Sequence, residues 1–362
     1  MSESNDNARP LEAINAEKGF RQQVGFWLRA TSYNSFHNEI AKSVIGQDAL
    51  EDITLSIYLY MERVAKGRHN KGAILLCAPS GCGKTETYRA VRTYFEKHLP
   101  FLPCYQTEMS RITQTGFKGD EPISVADGLM DKHYTNGIGI CWLDEVDKVI
   151  EPTYATHSEN VSAKIQQGLL CLLEGCIIKG ENTNDGKPRQ ICTANTLFIG
   201  IGSFNYIREY KQNNNKHKLG FSSVAEEEIS HYTDLTRQDI IEGGGLWEFI
   251  GRFSSIYNYH SLSDEAVRKI IALMRREESL DIGIDIVIEE STFQALIKES
   301  NSEFGCRLLR SMIHDRVMAK LKVIKKSYRN CDIAMIRLSE EGDTITFCPE
   351  QRREMFTPFA SN

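Results

Sequence analysis

Apolar residues recur in two different rhythms along the first part of the chain. From Leu50 to Val64 they return every three or four positions, which predicts a helix with one buried face. Uninterrupted apolar runs, each typical of a buried strand, occur at 73–77, 139–143 and 196–201. Helical periods lie between these runs, at 86–97 and 161–173. Such alternation predicts an α/β fold in which a mainly parallel sheet lies between layers of helices.

The last part of the chain has a different pattern. Helices are predicted at 263–276 and 307–322, the first of them opened by a serine and two acidic residues. Apolar and polar residues then alternate over 332–338 and 344–347, on either side of a turn at Gly342. We therefore expect a second, smaller α+β domain that ends in a hairpin.

Domain bounds follow from these changes of pattern. We expect a large α/β domain at 41–256 and the smaller domain at 257–348, with a partly helical extension at 1–40, read as one short helix, and a tail at 349–362. Within the large domain, 208–236 is rich in charged residues and asparagine, which predicts a long loop that is either functional or disordered.

Composition and charge narrow the class of protein. The chain has 362 residues, 41% of them hydrophobic, and a formal net charge of -6. No apolar run approaches the roughly 20 residues that a membrane span needs, and the polar start is unlike a signal peptide, so we expect a cytoplasmic protein with no membrane partner. The acidic balance gives no electrostatic reason to expect a nucleic acid as partner. Ten cysteines without a CxxC pair argue against a zinc ribbon and are typical of small buried hydrophobic residues in a reducing compartment.

The clearest chemical signal is the segment APSGCGKT, which follows the apolar run at 73–77 and opens a helix. In that position it is typical of a phosphate-binding loop, where backbone N–H groups and a helix N-terminus converge on an anion. Lys84 would reach the β- and γ-phosphates of ATP, and the Thr85 hydroxyl would hold Mg²⁺. Ala78 stands where the pattern has its first glycine. We expect the nucleotide to be held by Ser80, Gly81, Cys82, Gly83, Lys84, Thr85 and Glu86.

A pair of carboxylates follows the apolar run at 139–143. Asp144 would hold the water shell of Mg²⁺, and Glu145 would polarise the water that attacks the γ-phosphate. Alone, an acidic pair at a strand end could be a solvated turn, but here it follows a phosphate-binding loop. Together the two motifs predict an ATPase rather than a small-molecule kinase, which needs no such glutamate.

These and further segments resemble the ClpX family of AAA+ protein unfoldases, over about 40–340. Besides the phosphate-binding loop, the resemblance rests on VIGQ at 44–47, LDEVDK at 143–148, VSAKIQQGLLCLLEG at 161–175 and EFIGR at 248–252. It implies a P-loop AAA+ large domain followed by a small lid domain, with ATP and Mg²⁺ bound between the subunits of a homohexameric ring. Val44 and Ile45 would then border the adenine.

The same resemblance implies roles for single arginine and polar residues. Arg252 would be the finger that reaches the γ-phosphate bound by the neighbouring subunit. Arg307 would sense nucleotide from the lid domain, although Arg307 and Arg310 could instead pair with a carboxylate. The sensor-1 position stays open between Ser203 and Asn205.

Two more segments concern polypeptide partners. The segment TGFKG is similar to the aromatic pore loop that grips substrate, with Phe117 where the family usually has Tyr and Lys118 where it has a small apolar residue. A lysine there would add positive charge to the pore, which would either favour acidic substrates or weaken the grip on the substrate chain. Leu219, Gly220 and Phe221 match the tripeptide by which ClpX rings dock on the ClpP peptidase, or they anchor a long loop to its own domain.

We therefore expect an ATP-dependent unfoldase that threads unfolded or tagged proteins through a hexameric pore and feeds a ClpP-type peptidase. No CxxC is present to form the family's N-terminal zinc domain, which favours as an alternative a remodelling ATPase that works without a peptidase. The acidic charge disfavours a nucleic-acid motor. The intact Asp144, Glu145 and Arg252 disfavour a scaffold that binds nucleotide without hydrolysing it.

Overall fold

The computed structural model describes residues 11–70, 72–113, 121–130, 135–154, 160–182, 188–218, 234–300, 305–327 and 333–347. The chain divides into two compact units. The first comprises Met1–Pro79 and Gly83–His260, and the second comprises Ser261–Asn362 together with Ser80–Cys82. That the second unit acts as a lid over nucleotide remains a prediction.

Helices and strands alternate through the first unit. The helices are α1 (Leu11–Ala30), α2 (Tyr33–Ala41), α3 (Leu50–Ala65), α4 (Lys84–His98), α5 (Asp127–Met130), α6 (Val146–Ile150), α7 (Val161–Glu174), α8 (Asn205–Lys218), α9 (Arg237–Glu242) and α10 (Trp247–Ile250). The strands are β1 (Ala73–Cys77), β2 (Cys104–Glu108), β3 (Gly139–Asp144), β4 (Ile177–Asn182), β5 (Pro188–Cys192), β6 (Thr196–Gly202) and β7 (Phe253–Asn258). Within the described ranges, no helix of the chain combines the length and the apolar character that crossing a bilayer requires.

Five strands form one parallel sheet in the order β2-β3-β6-β1-β7. β1 pairs with β6 on one side and with β7 on the other, and β3 lies between β6 and β2. Every side chain of β1 and β6 is buried, as expected of central strands that are covered on both faces. The predicted α/β fold with a parallel sheet between helices is confirmed.

The sequence pattern does not predict the two outer strands of this sheet. Both mix polar with apolar residues, CYQTE in β2 and FSSIYN in β7, and most of their side chains are half-buried. An outer strand is covered less completely than a central one, so the uninterrupted apolar run that identifies β1, β3 and β6 is missing. The antiparallel hairpin of β4 and β5 is likewise absent from the prediction.

Helices α1 and α2 pack on the rest of the first unit through buried aromatic side chains. The Trp27 ring contacts the rings of Phe36, Tyr58, Tyr94 and Phe95. Its Nε1 also donates a hydrogen bond of 3.2 Å to the Tyr94 hydroxyl. The prediction of one short helix is wrong here, since α1 has 20 residues and α2 follows it.

The predicted loop at 208–236 is partly helical, because α8 extends to Lys218. Phe204 and Ile207 are buried at the start of this helix, so tertiary packing anchors a segment whose asparagines have weak helix propensity. Within the same segment, residues 219–233 lie outside the described residues.

The second unit combines three helices with a small sheet in its described part. Its elements are α11 (Asp264–Ile282), β8 (Asp285–Ile288), α12 (Glu290–Ser300), α13 (Leu309–Ser327), β9 (Ile333–Leu338) and β10 (Thr344–Phe347). The predicted hairpin corresponds to β9 and β10, and β8, which the pattern does not predict, pairs in parallel with β9. Leu309, Ile313 and Val317 of α13 are buried in the core of this unit. The sequence pattern predicts that Arg307 begins this helix. In the structure, Arg307 belongs instead to a short 3₁₀ turn ahead of α13.

Candidate functional site

The phosphate-binding loop connects the carboxyl end of β1 to the first residue of α4. Gly81 and Gly83 have φ angles of 78° and 94°, in the left-handed region that favours glycine. A Cβ on Gly83 would meet no atom within 4 Å, so backbone conformation, and not crowding, requires glycine there. The Lys84 ammonium folds back over the loop and donates to the carbonyl oxygens of Ala78 and Pro79, the latter over 2.9 Å.

The first turn of α4 carries the other residues that were expected to hold nucleotide and metal. Thr85 is exposed, and Glu86 lies 3.7 Å from the guanidinium of Arg89. Thr85 also lines a cavity of about 400 Å³ together with Gln106 of β2. Gln106 Nε2 donates a hydrogen bond to Asp144 Oδ2, so the residue that borders this cavity with Thr85 also contacts Asp144.

The acidic pair ends β3 and begins α6. Glu145 is exposed and has a φ of 56°, which is uncommon for a residue with a side chain and places it at a strained cap. Its backbone N–H donates to Asp144 Oδ1 over 2.9 Å. Burial raises the pKa of Asp144, assisted by the neighbouring Glu145 charge, while the Glu145 N–H, the Lys84 charge and the Gln106 amide oppose the rise.

Metal chemistry fits this donor set. Mg²⁺ prefers hard oxygen ligands and keeps several water molecules, and the Thr85 hydroxyl and the Asp144 carboxylate provide two such oxygens. β1 and β3 pair in parallel with β6 on its two sides, so the phosphate-binding loop and the acidic pair both follow the carboxyl ends of strands in one sheet. These role assignments remain proposals.

A buried carboxylate that the sequence analysis did not single out supports one of the sensor-1 candidates. Asp147 is 3% exposed and accepts hydrogen bonds from the Ser203 hydroxyl (2.9 Å) and from the Phe204 N–H (3.3 Å). Ser203 is therefore held beside the acidic segment, whereas Asn205 is exposed at the start of α8. In the sequence, Asp147 is marked only by its position two residues after Glu145, within LDEVDK.

The segment expected to border the adenine is fixed close to the end of β1. Val44 is buried and Ile45 is partly exposed. Gln47 exchanges two hydrogen bonds with the backbone of His260, donating over 2.8 Å and accepting over 3.1 Å. The neighbouring Tyr259 N–H donates to the carbonyl oxygen of Cys77, the last residue of β1. The structure thus brings this segment close to the base of the phosphate-binding loop.

Arg252 lies at the amino ends of the strands, whereas that loop follows their carboxyl ends. The N–H of Ala73, the first residue of β1, donates to the Arg252 carbonyl oxygen over 3.0 Å. The loop begins only after the five residues of β1, which is roughly 16 Å further along the strand. The Arg252 guanidinium donates instead to Glu174 Oε1, and both side chains are about half exposed. The structure therefore does not bring Arg252 together with the rest of the predicted site of its own chain.

The remaining predicted residues lie elsewhere or outside the described ranges. Arg307 is exposed in the second unit. Arg310 pairs with Glu277 over 2.5 Å, which matches the carboxylate-pairing alternative for that residue. The pore-loop residues Phe117 and Lys118, and the docking tripeptide at 219–221, fall outside the described residues.

Comparison with known proteins agrees with this geometry. A family model described as AAA domain (Cdc48 subfamily) matches residues 69–256, which span the phosphate-binding loop, the acidic pair and Arg252. The chain belongs to this family. It is an ATPase with an AAA+ P-loop domain.

Curated relatives extend the similarity beyond that domain. The chain is 26% identical over 321 residues to the ATP-dependent Clp protease ATP-binding subunit ClpX of Bacteroides thetaiotaomicron, covering 79% of this chain and 76% of the relative. It is 26% identical over 337 residues to ClpX 2 of Wolinella succinogenes, covering 86% and 82%. It is 25% identical over 354 residues to ClpX 3 of Methylococcus capsulatus, covering 81% and 78%. The resemblance to the ClpX family is confirmed.

Proposed function

We propose that this chain is the subunit of a homohexameric ring that uses ATP to unfold proteins and thread them through a central pore. The observation that carries the proposal is the position of Arg252, a strand's length away from the phosphate-binding loop of its own chain. An arginine that acts on the γ-phosphate from that edge of the sheet needs a second copy of the chain. The names of the relatives, ATP-binding subunits of an ATP-dependent Clp protease, support a protein as the substrate.

The nucleotide would bind where the carboxyl ends of β1 and β3 meet. Backbone N–H groups of 80–86 would hold the phosphates, and Lys84 would exchange its two carbonyl acceptors for phosphate oxygens. When bound, Mg²⁺ would supply positive charge that draws electron density away from the γ-phosphate. Thr85 and the ionised form of Asp144 would hold the ion.

Hydrolysis would use Glu145 as the general base. Its left-handed backbone and the bond from its N–H to Asp144 fix where the side chain leaves the chain, so the base is positioned before the substrate arrives. Ser203, held by Asp147, would contact the nucleotide site from the end of β6. Arg252 would leave Glu174 and reach the phosphate bound by the neighbouring subunit, where it would stabilise the charge that develops in the transition state.

Gripping the substrate chain and docking on a peptidase would depend on segments that are known from the sequence alone. Phe117 would press on the substrate chain, and Lys118 would favour acidic substrates. Leu219, Gly220 and Phe221 would dock on a ClpP-type peptidase. The lysine in the pore loop also favours a second candidate, a remodelling ATPase that dismantles a protein complex without a peptidase.

A folded fluorescent reporter with an unstructured acidic tag tests the proposed function. We expect the chain with ATP and Mg²⁺ to abolish the fluorescence, and Glu145→Gln and Phe117→Ala to leave it intact. Persistent fluorescence, with ATPase activity and a ring verified in the same sample, would contradict the unfolding activity.

Adding a ClpP-type peptidase then separates the two candidates. Degradation of the reporter by the intact chain, lost on deletion of 219–221, is expected for a peptidase partner. Unfolding without degradation by either protein would favour the stand-alone remodelling ATPase.

A further inference from the structure

Two cysteines flank the turn that ends α7. Cys171 lies in the last turn of the helix and is exposed, and Cys176 follows Gly175 and is partly buried. Gly175 alone separates Cys176 from the last residue of α7, so the two cysteines lie at the same end of this helix. The sequence-based interpretation of the cysteines as buried hydrophobic residues therefore does not apply to Cys171, and the proposed ATPase site uses neither thiol.

The backbone holds Cys176 in place beside the end of the helix. Gly175 has a φ of 94°, and a Cβ there would lie 2.6 Å from the Cβ of Ala194. The Cys176 N–H donates to Thr193 Oγ1 over 2.8 Å, and the Thr193 N–H donates to the Cys176 carbonyl oxygen over 2.9 Å. With its backbone tied on both sides, Cys176 is held beside the last turn of α7, which carries Cys171.

We infer that Cys171 and Cys176 form a reversible disulfide with each other when a small-molecule disulfide such as oxidised glutathione oxidises them. This intramolecular bond would control the release of Arg252 from Glu174. The Cys171 thiolate attacks one sulfur of oxidised glutathione, so that a mixed disulfide forms and one glutathione thiolate leaves. The Cys176 thiolate then attacks Cys171 Sγ and displaces the second glutathione. The protein loses two protons and two electrons, and the oxidant takes them up as two thiols.

Exposure decides the order of these two steps. Cys171 is accessible to a molecule the size of glutathione. Cys176 is partly buried, and this burial, with a smaller effect of the adjacent Cys171 thiol, raises the pKa of Cys176 to about 11. Cys176 is therefore a poor nucleophile toward an oxidant in solution, but its attack on the mixed disulfide is intramolecular and gains from proximity. The short loop and the exposed sulfur of Cys171 leave the bond open to reduction.

The disulfide would enclose the residue that holds Arg252. Glu174 lies between the two cysteines, accepts the hydrogen bond from Arg252, and lines a cavity of about 300 Å³ that Thr193 and Ala194 also border. Closing the ring over 171–176 would stiffen the Glu174 backbone and favour the ion pair that keeps Arg252 on its own subunit. This regulatory part rests on the proposed function, and it predicts slower ATP hydrolysis in the oxidised chain.

Peptide mass measurement tests the disulfide directly. The full chain is incubated with oxidised glutathione, alkylated with iodoacetamide, digested and analysed before and after dithiothreitol. We expect the peptide that contains both cysteines to escape alkylation and to lose two hydrogens, reversibly. Cys171→Ser and Cys176→Ser should abolish this product, and Cys192→Ser, the matched control on β5, should retain it. Alkylation of both thiols, glutathione retained on Cys171, or a bond from Cys176 to Cys192 would overturn the inference.

ATPase rates test the regulatory part on the same samples. Oxidation should lower the rate on the order of fivefold, dithiothreitol should restore it, and Cys171→Ser should be insensitive. A disulfide that forms without changing the rate would overturn the control of Arg252. A reduced chain without ATPase activity would overturn the proposed function and the regulatory part, while the mass measurement would still decide whether the disulfide forms.

Discussion

Asp144 illustrates how neighbouring groups set the chemistry of a single carboxyl group. Burial raises its pKa, and the Glu145 N–H, the Lys84 charge and the Gln106 amide act in the opposite direction. Only the ionised carboxylate is a good ligand for Mg²⁺. Groups that favour ionisation therefore support activity, and Gln106 is one that can be removed without touching either sequence motif.

Replacing Gln106 with Ala should shift the acid limb of the ATPase pH profile to higher pH. The Gln106 amide stabilises the ionised form of Asp144, so its loss raises the pKa further and a higher pH is needed to reach the same ionised fraction. The rate is measured against pH at fixed Mg²⁺ and ATP. Gln238→Ala, which removes an exposed amide that donates to Glu242 over 2.8 Å, is the control and should leave the profile unchanged.

Residues of the candidate site differ in how far sequence alone can identify them. The loop at 78–85 and the acidic pair are contiguous, so their spelling and their place after apolar runs are sufficient. Gln106 and Asp147 join the site through the order of the strands and through contacts that no local pattern encodes. If the pH profile of the ATPase rate is unchanged in Gln106→Ala, the hydrogen bond from Gln106 to Asp144 has no effect on the site.

At the scale of elements, burial decides what the hydrophobic pattern can predict. The three central strands, β1, β3 and β6, are uninterrupted apolar runs and are all predicted. The outer strands are missed because polar residues interrupt their apolar runs without a regular alternation, and α8 is missed because its buried contacts are concentrated at its first turn. Fold class is therefore accessible from the core strands, while strand order comes only from the three-dimensional structure.

The packing of α1 predicts a large difference between two adjacent aromatic residues. Trp27 is 6% exposed within its aromatic cluster, whereas Phe26 is 65% exposed. Trp27→Ala should lower the free energy of unfolding of the first unit by about 3–5 kcal/mol, because it leaves a cavity and removes several ring contacts. Phe26→Ala should cost less than about 1 kcal/mol. Denaturant titration of both variants measures the difference, and equal costs would contradict the packing described for α1.

At the scale of the whole molecule, the proposed active site is divided between two copies of the chain. Lys84, Asp144 and Glu145 lie at the carboxyl edge of the sheet, and Arg252 lies at its amino edge, paired with Glu174. Each copy would therefore offer a nucleotide site on one side and an arginine on the other. Such a head-to-tail interface closes into a ring when the rotation between subunits allows it.

Mixing two inactive variants tests this division most directly. Glu145→Gln removes the base but keeps the arginine, and Arg252→Ala removes the arginine but keeps the base. If the subunits assemble at random from equal amounts, about one interface in four combines an intact base with an intact arginine. We expect each variant alone to hydrolyse ATP poorly and the mixture to regain activity well above both. A mixture no more active than its components, with mixed rings verified, would contradict an active site shared between subunits.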